Sequence, residues 1–289
     1  MSKQQSVVVT GASSGFGRDT ANRFADAGWR VFATIRDSKG RHAQAAQELQ
    51  TRGITVVELE VTDQASVDRA AAEILSAGPV DVLVNNAGAA FFGVLEAFTP
   101  ETAREQFDIN VFAPLRVNRA FLPSMRERRK GLIVYVSSVT GRFVFPFGGV
   151  YAASKWAIEA LAETASYELR PFGIDVAIVE PGAFGTNISN SRTGPDDEAR
   201  LAGYAAILPL AGNIFSGLQE SAASRDSREV AEAIFKLAET PAGARPLRTL
   251  VPDEESVASL NEHSERVQDD IIQGFNLQAL AQPHVESVA

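Results

Sequence analysis

The sequence contains no cysteine, which excludes thiolate catalysis, cysteine-ligated zinc and disulfide bonds. Histidine is also scarce: the chain has only His42, His263 and His284, and no two of them have the spacing of a metal-ligand pair. We therefore expect a protein that has no metal site.

The chain also lacks an excess of positive charge and a long hydrophobic segment. Its formal net charge of −9 argues against general binding to nucleic acid or to anionic membranes. No apolar run approaches the roughly 20 residues that a membrane-spanning helix needs. The first residues, MSKQQS, do not have the architecture of a signal peptide. These absences favour a cytoplasmic protein with no nucleic-acid partner and no membrane span.

Short apolar strands alternate with helical patterns over most of the chain. This alternation predicts an α/β fold, a single Rossmann-type doubly wound parallel sheet of about seven strands with helices on both faces. The predicted strands are residues 7–10, 30–35, 54–59, 80–84, 132–137, 174–180 and 247–251. The predicted helices are residues 18–27, 41–52, 64–77, 100–129, 151–170 and 227–239.

No linker rich in proline, glycine and serine divides the chain, so we expect one dinucleotide-binding and catalytic domain over residues 1–252. Residues 253–289 form a polar tail with scattered apolar residues and a predicted helix at 255–273. Its composition fits a peripheral cap and an oligomer contact equally well.

A turn rich in glycine and serine, residues 11–17, joins the first strand to the first helix. Glycine allows a tight turn and a close approach of the backbone to a ligand. The N-terminus of the following helix offers free N–H groups and the positive end of a dipole to a phosphate. A plain turn is the alternative, but the position between strand and helix favours a phosphate-binding loop.

Tyr151 and Lys155 are four residues apart in a helical pattern, so their side chains project from one face. A phenol titrates near ~10 in water, too high for efficient acid–base chemistry at neutral pH. Because a nearby ammonium favours the phenolate, we expect Lys155 to lower the pKa of Tyr151. The pair is then a candidate acid–base group, and a chance pairing is the alternative.

The order of the motifs resembles that of the short-chain dehydrogenase/reductase family. The sequence TGASSGFG begins at Thr10, and NNAG, beginning at Asn85, follows the fourth strand. Ser138 stands thirteen residues before Tyr151, and Pro181-Gly182 follows the sixth strand. The segment 31–37 and the long tail are similar to the branch of 17β-hydroxysteroid and retinol dehydrogenases.

The resemblance implies hydride transfer between a nicotinamide dinucleotide and a carbonyl or alcohol carbon. It implies that Tyr151 donates or accepts the proton and that Lys155 lowers its pKa and bonds the nicotinamide ribose. Ser138 would hold the substrate oxygen, and Asn110 would anchor a water that leads to Lys155. Two alternatives stay open: Ser137 could replace Ser138, although the thirteen-residue spacing favours Ser138, and Asn110 could merely kink or cap its helix.

The resemblance also implies a set of cofactor contacts. The loop at the pyrophosphate and adenosine ribose would consist of Gly11, Ser13, Ser14, Gly15, Phe16 and Gly17. Asn86, Ala87 and Gly88 would lie beside the adenine-side ribose, and Pro181, Gly182, Phe184 and Thr186 would hold the nicotinamide carboxamide. Glu60, followed by Val61, stands where the family often has Asp at the adenine pocket.

The end of the second strand decides between NAD and NADP. An acidic residue there would bind the ribose 2′-hydroxyl and repel a 2′-phosphate. This chain has Ile35 at that position and Arg36 next, and a guanidinium pairs well with a phosphate. Asp37 could pair with Arg36 and weaken the preference, whereas Ser13, Ser14, Lys39 and Arg41 could assist it. We therefore expect NADP(H) as cofactor.

Phenylalanines cluster near the candidate site and favour an apolar substrate, although core packing explains many of them equally well. They are Phe91, Phe92, Phe143, Phe145 and Phe147, and the substrate lid that the family places at about 183–225 adds Phe215. We expect an apolar ketone, aldehyde or secondary alcohol as substrate, and a homodimer or homotetramer as the assembly. The alternative is a non-catalytic NADP-binding or interaction protein on the same scaffold.

Overall fold

The centre of the molecule is a sheet of seven parallel strands in the order β3-β2-β1-β4-β5-β6-β7. It is seen in a computed structural model that describes residues 4–186, 194–252 and 254–281. The strands are β1 (Ser6–Thr10), β2 (Arg30–Ile35), β3 (Thr55–Glu58), β4 (Val82–Asn85), β5 (Gly131–Val136), β6 (Ile174–Pro181) and β7 (Arg248–Val251).

Helices cover both faces of the sheet because successive strand residues alternate between two hydrophobic cores. The helices are α1 (Gly15–Asp26), α2 (Ala43–Thr51), α3 (Gln64–Ser76), α4 (Pro100–Phe107), α5 (Ala113–Arg128), α6 (Gly149–Leu169), α7 (Glu198–Ala202), α8 (Leu208–Ala223), α9 (Arg228–Glu239), α10 (Glu255–Gly274) and α11 (Gln278–Ala281). In β1, for example, Val7 and Val9 face the core under α1, α2 and α9, whereas Val8 faces the core under α3, α5 and α6.

The predicted fold class is confirmed, but the long helix expected at 100–129 is not continuous. A π-helical turn, Asp108–Phe112, separates α4 from α5. Pro114 begins the first turn of α5 and has no N–H to continue an α-helical ladder. The extra residue of a π turn re-aims its neighbours, and here it directs Asn110 towards the loop after β4.

The strand order reverses between β1 and β4, which opens a crevice at their carboxyl ends. The segments after β1, β4, β5 and β6 all begin at this edge of the parallel sheet. Within the predicted lid, residues 187–193 lie outside the described residues, as do residues 253 and 282–289 of the predicted tail. None of the described helices is both long and apolar enough to cross a membrane.

Candidate active site

The glycine turn after β1 is clamped to the loop after β4. Gly11 has a φ of +68°, and a Cβ placed on it would lie 2.8 Å from the Cα atom of Ala87. The Asn86 side chain donates hydrogen bonds to the carbonyls of Thr10 (2.8 Å) and Gly11 (3.2 Å). The Thr10 hydroxyl accepts from the backbone N–H groups of Asn86 and Ala87, each at 3.0 Å. These contacts fix the two loops on either side of the crevice.

Helix α1 begins at this turn with its first N–H groups available. Ser14 is the N-cap residue, yet its side chain makes no capping hydrogen bond. Uncapped N–H groups at a helix N-terminus in a crevice of this kind fit a dinucleotide pyrophosphate. The segment after β6 closes on the same place, because Phe184 packs edge-on against Phe16 (ring centroids 5.4 Å apart) and Thr186 lies beside Gly15.

Arg36 lies at the end of β2 with its side chain 57% exposed. Its guanidinium is 3.3 Å from the carboxylate of Glu60, so its ion-pair partner is not the Asp37 that the sequence offered. Asp37 instead accepts a hydrogen bond from the backbone of Arg41 (2.9 Å) and shapes the turn after β2.

Glu60, the candidate adenine-pocket residue, is held by its own loop. Its Oε1 atom accepts from the backbone (3.1 Å) and the hydroxyl (2.8 Å) of Thr62, and its Oε2 atom faces Arg36. Val61 packs on the core beneath. Both oxygens of Glu60 are thus engaged, and its contact with an adenine stays a prediction.

Tyr151 and Lys155 lie on the buried face of α6, with 7% and 6% of their surface exposed. The Lys155 Nζ atom lies 5.7 Å from the centroid of the Tyr151 ring and donates a hydrogen bond to the carbonyl of Val136 (2.9 Å). Ser138 follows β5, and its hydroxyl lies beside the phenol of Tyr151. Ser138 also donates to the carbonyl of Pro181 at 3.4 Å. The three predicted catalytic side chains therefore meet at the carboxyl edge of the sheet.

Burial has the largest effect on the ionisation of this pair. It raises the pKa of Tyr151 to about 12, an effect that the hydrogen bond from Ser138 partly offsets. Burial also lowers the pKa of Lys155 to about 8, while the nearby Glu159 carboxylate acts in the opposite direction. The lowered pKa that the sequence predicts for Tyr151 is therefore not found, because desolvation of the phenolate raises it.

Asn110 uses its side chain to connect the loop after β4 with α6. Its Oδ1 atom accepts from the N–H of Ala89, and its Nδ2 atom donates to the carbonyl of the same residue, both at 2.9 Å. The Nδ2 atom also lies 3.0 Å from the hydroxyl of Ser154, the residue before Lys155. Asn110 thus supports the helix that contains Lys155, and its role in a water relay stays a prediction.

Aromatic rings cover Tyr151 from the side of the predicted lid. Phe92 packs edge-on against Tyr151 (ring centroids 5.3 Å apart) and contacts Phe145 at 5.9 Å and Phe215 of α8 at 5.5 Å. Phe91, by contrast, belongs to the core. The middle of the predicted lid is held by Tyr204, whose hydroxyl donates a hydrogen bond to Glu96 at 2.5 Å.

A group of buried charged residues that the sequence did not predict lies next to Lys155 along α6. Glu159 follows Lys155 by one helical turn, and Glu180 interrupts the apolar strand β6. The positions of both acids were visible in the sequence. Their partners were not, because Arg248 of β7 and Asn261 of α10 belong to segments that no motif links to the site.

Comparison with known proteins identifies the class of this fold and site. The family model described as short chain dehydrogenase matches residues 5–196, so the chain belongs to the short-chain dehydrogenase/reductase family. An uncharacterized oxidoreductase of Bacillus subtilis is 36% identical over 80% of this chain and 83% of its own. The 17-beta-hydroxysteroid dehydrogenase type 1 of Mus musculus is 34% identical over 81% of this chain and 70% of its own.

Solved structures agree with this assignment. A short-chain dehydrogenase from Streptomyces avermitilis is 34% identical with a TM-score of 0.76, covering 96% of this chain and 98% of its own. An alcohol dehydrogenase from Thermococcus sibiricus, complexed with 5-hydroxy-NADP, is 28% identical (TM-score 0.69; 86% and 96% covered). A family member from Burkholderia phymatum, in complex with NAD, is 25% identical (TM-score 0.74; 93% and 95% covered). Similar proteins therefore bind both forms of the dinucleotide.

In the part of the chain that the structure describes, no group of three or more His, Asp or Glu side chains is placed to hold a metal ion.

Proposed function

We propose that this protein is an NADP(H)-dependent oxidoreductase that interconverts an apolar ketone or aldehyde and the corresponding alcohol. The main support is the convergence of Ser138, Tyr151 and Lys155 at the carboxyl edge of the sheet, next to the glycine turn and the uncapped start of α1. The family to which the chain belongs consists of dehydrogenases and reductases, which supports the same class of reaction.

The cofactor, when bound, supplies or accepts the hydride. The protein's own residues donate or accept the proton. In carbonyl reduction the phenol of Tyr151 donates its proton to the oxygen that gains charge, and Ser138 donates a hydrogen bond to the same oxygen. A pKa of about 12 keeps Tyr151 protonated at neutral pH, which suits the reductive direction. In the oxidative direction the Lys155 ammonium stabilises the phenolate that accepts the proton.

Residues of the glycine turn and of the segment after β6 would hold the dinucleotide. The free N–H groups at the start of α1 suit the pyrophosphate, and the segment from Pro181 to Thr186 packs against the same turn through Phe184 and Thr186. Arg36 supports a preference for NADP(H), because the guanidinium is exposed and its pairing with Glu60 at 3.3 Å is of the weak surface kind. A 2′-phosphate can therefore compete for it.

The aromatic cover formed by Phe92, Phe145 and Phe215 supports an apolar substrate, since Phe92 packs on the Tyr151 ring and the other two rings pack on Phe92. The relative named for a 17-beta-hydroxysteroid substrate is consistent with a bulky apolar ketone or alcohol. A cytoplasmic location and a homodimer or homotetramer stay predictions.

Replacement of Tyr151 tests the proposal directly. We expect Tyr151→Phe to lose at least 100-fold in carbonyl reduction, about the contribution of a positioned general acid, while NADPH binding measured by fluorescence stays near that of the wild type. The control is Tyr167→Phe, since Tyr167 lies on the same helix and is partly exposed. Retention of most activity by Tyr151→Phe would exclude the acid–base assignment. Tight NADPH binding by the wild type without turnover of any carbonyl in a broad panel would favour the non-catalytic alternative.

A further inference from the structure

Helix α6 contains an evenly spaced row of functional groups below the catalytic tyrosine. Tyr151, Lys155, Glu159 and Glu163 follow each other at intervals of four residues, so they lie along one side of the helix. Glu159 is 2% exposed although it is a carboxylic acid. Acids are seldom buried to this degree unless they are paired, so the role of Glu159 has to be sought in its contacts.

Glu159 is paired directly with the guanidinium of Arg248. Its Oε2 atom lies 3.1 Å from the Nε atom of Arg248, which is itself almost fully buried. A second nitrogen of the same guanidinium donates to Glu163 at 2.6 Å. Arg248 thus neutralises carboxylates on two successive turns of the helix that contains Lys155.

Glu180 approaches the same nitrogen of the Arg248 guanidinium but makes no hydrogen bond to it. It is 0% exposed, and its Oε1 atom is 3.7 Å from Arg248 Nε and 4.0 Å from Arg142 Nε. Its Oε2 atom accepts a hydrogen bond at 2.6 Å from Asn261 of α10. Arg142 is itself engaged with that helix, since it donates to Asn261 (2.7 Å) and Ser264 (2.5 Å).

The contacts of the two buried acids differ in a way that decides which of them is charged. Glu159 receives a hydrogen bond from a guanidinium, whereas Glu180 receives one only from a neutral amide. Burial raises the pKa of both carboxyls, and the neighbouring Glu159 charge helps to raise that of Glu180 to about 7. The Oε1 atoms of both acids accept no hydrogen bond within the described residues. The charged and polar groups that face the two acids are Ser137, Arg142, Lys155, Glu163, Arg248 and Asn261.

We propose that Glu159 is a positioning residue whose negative charge keeps Lys155 in its ammonium form, while Glu180 retains the proton that allows the two acids to be buried together. The catalytic meaning of this arrangement rests on the proposed function, because Lys155 matters there as the cation beside Tyr151. The charge of Glu159 opposes the effect of burial on Lys155, and Glu159 is the one described acid found to act on it in this way. Helix α10 takes part in this arrangement, because Asn261 donates a hydrogen bond to Glu180.

The test is a titration of Lys155 in the purified protein without substrate. The chain has only five lysines, so 13C labelling at Cε gives a simple NMR spectrum in which Lys155→Arg identifies the signal. We expect Glu159→Gln to lower the pKa of Lys155 by about one unit or more, the usual effect of removing an opposite charge at short range. Glu180→Gln is the matched control, because it removes a carboxyl group from the same buried cluster that is not found to act on Lys155. It should leave the pKa of Lys155 close to that of the wild type, and Glu159→Asp should restore most of the shift.

Several outcomes would overturn the proposal. They are an unchanged Lys155 titration in Glu159→Gln, or an equal shift in both glutamine variants. If Glu159→Gln does not fold, 13C titration of the glutamate carboxyls in the wild type decides instead, with Glu180→Gln identifying the signal of Glu180: at pH 6 Glu180 should be protonated and Glu159 ionised. Finding both acids in the same state, or the reverse assignment, contradicts the proposal. Because none of these measurements uses activity, they are independent of the proposed function, whose own failure would appear in the Tyr151→Phe experiment.

Discussion

Lys155 shows how a single residue can be both expensive to bury and useful. Its Nζ atom lies inside the protein and donates to the carbonyl of Val136, while the surroundings favour loss of its proton. A cation held in this way has little water around it, so its field acts strongly on any charge that forms nearby. In the proposed reaction the phenolate of Tyr151 is such a charge. Burial of Lys155 would therefore strengthen the stabilisation that its ammonium gives to that phenolate.

Arg36 is the residue on which the proposed preference for NADP(H) depends. We expect Arg36→Ala to weaken NADPH binding roughly 10- to 100-fold, the effect of losing a charge-assisted hydrogen bond, and to leave NADH binding unchanged. Binding of both cofactors can be measured by fluorescence titration. Arg104→Ala provides the control, since Arg104 is also in an exposed pair, with Glu101 at 2.7 Å on α4. An equal loss for NADH and NADPH would show that Arg36 supports the loop and does not recognise the 2′-phosphate.

At the scale of elements, the site is assembled by segments that brace each other. The π-helical turn directs Asn110 to Ala89, and the lid helix α8 places Phe215 on Phe92, which in turn packs on Tyr151. Only Ala211 and Ala222 of α8 are buried, and Phe215 is partly exposed. A helix with so few buried groups is held weakly, which is what a substrate lid at this position would need.

Phe215 is the contact through which the lid would select its substrate. We expect Phe215→Ala to raise the KM for a bulky apolar ketone roughly 10-fold, because it removes an aromatic wall, and to change the rate with a small ketone little. Steady-state kinetics with the two substrates measure the difference. Leu218→Ala is the comparison, since Leu218 lies on the same helix and faces outwards. The same loss in both variants would indicate that only the stability of the helix matters.

The sequence was sufficient for the repeating elements and for the motif residues. The strand from Arg30 to Ile35 has the predicted bounds, because β-branched residues and the glycine before it define them locally. The π-helical turn was not predictable, since it depends on a long-range contact between Asn110 and Ala89. The direction of the Tyr151 pKa shift was missed for the same reason: spacing identifies a charged neighbour, but burial follows only from the complete packing.

For the molecule as a whole, the buried lysine links catalysis to stability. The pKa of Lys155 is about 8 in the folded protein and has its ordinary, higher value in the unfolded chain. The unfolded chain therefore binds more protons between about pH 8 and 10, and the contribution of Lys155 to stability must rise with pH in that window.

This linkage can be measured by urea unfolding of the protein without cofactor at pH 8, 9 and 10. Relative to Lys155→Met, we expect the free energy of unfolding of the wild type to increase by about 2 kcal/mol across the window. Lys236→Met, which changes an exposed lysine, should follow the wild type. Parallel curves for the wild type and Lys155→Met would show that the lysine is not buried as an ammonium.

The contact between Asn261 and Glu180 has a consequence for how such chains can be recombined. The segment that matches the family model ends at residue 196, yet Arg248 and Asn261, which neutralise and cover the two buried acids, lie beyond it. A chimaera joined at that boundary would combine Glu159 and Glu180 with a foreign C-terminal part. Both buried acids would then lose the side chains that donate hydrogen bonds to them, which is strongly destabilising. The C-terminal part and the two acids must therefore be exchanged between relatives as one unit.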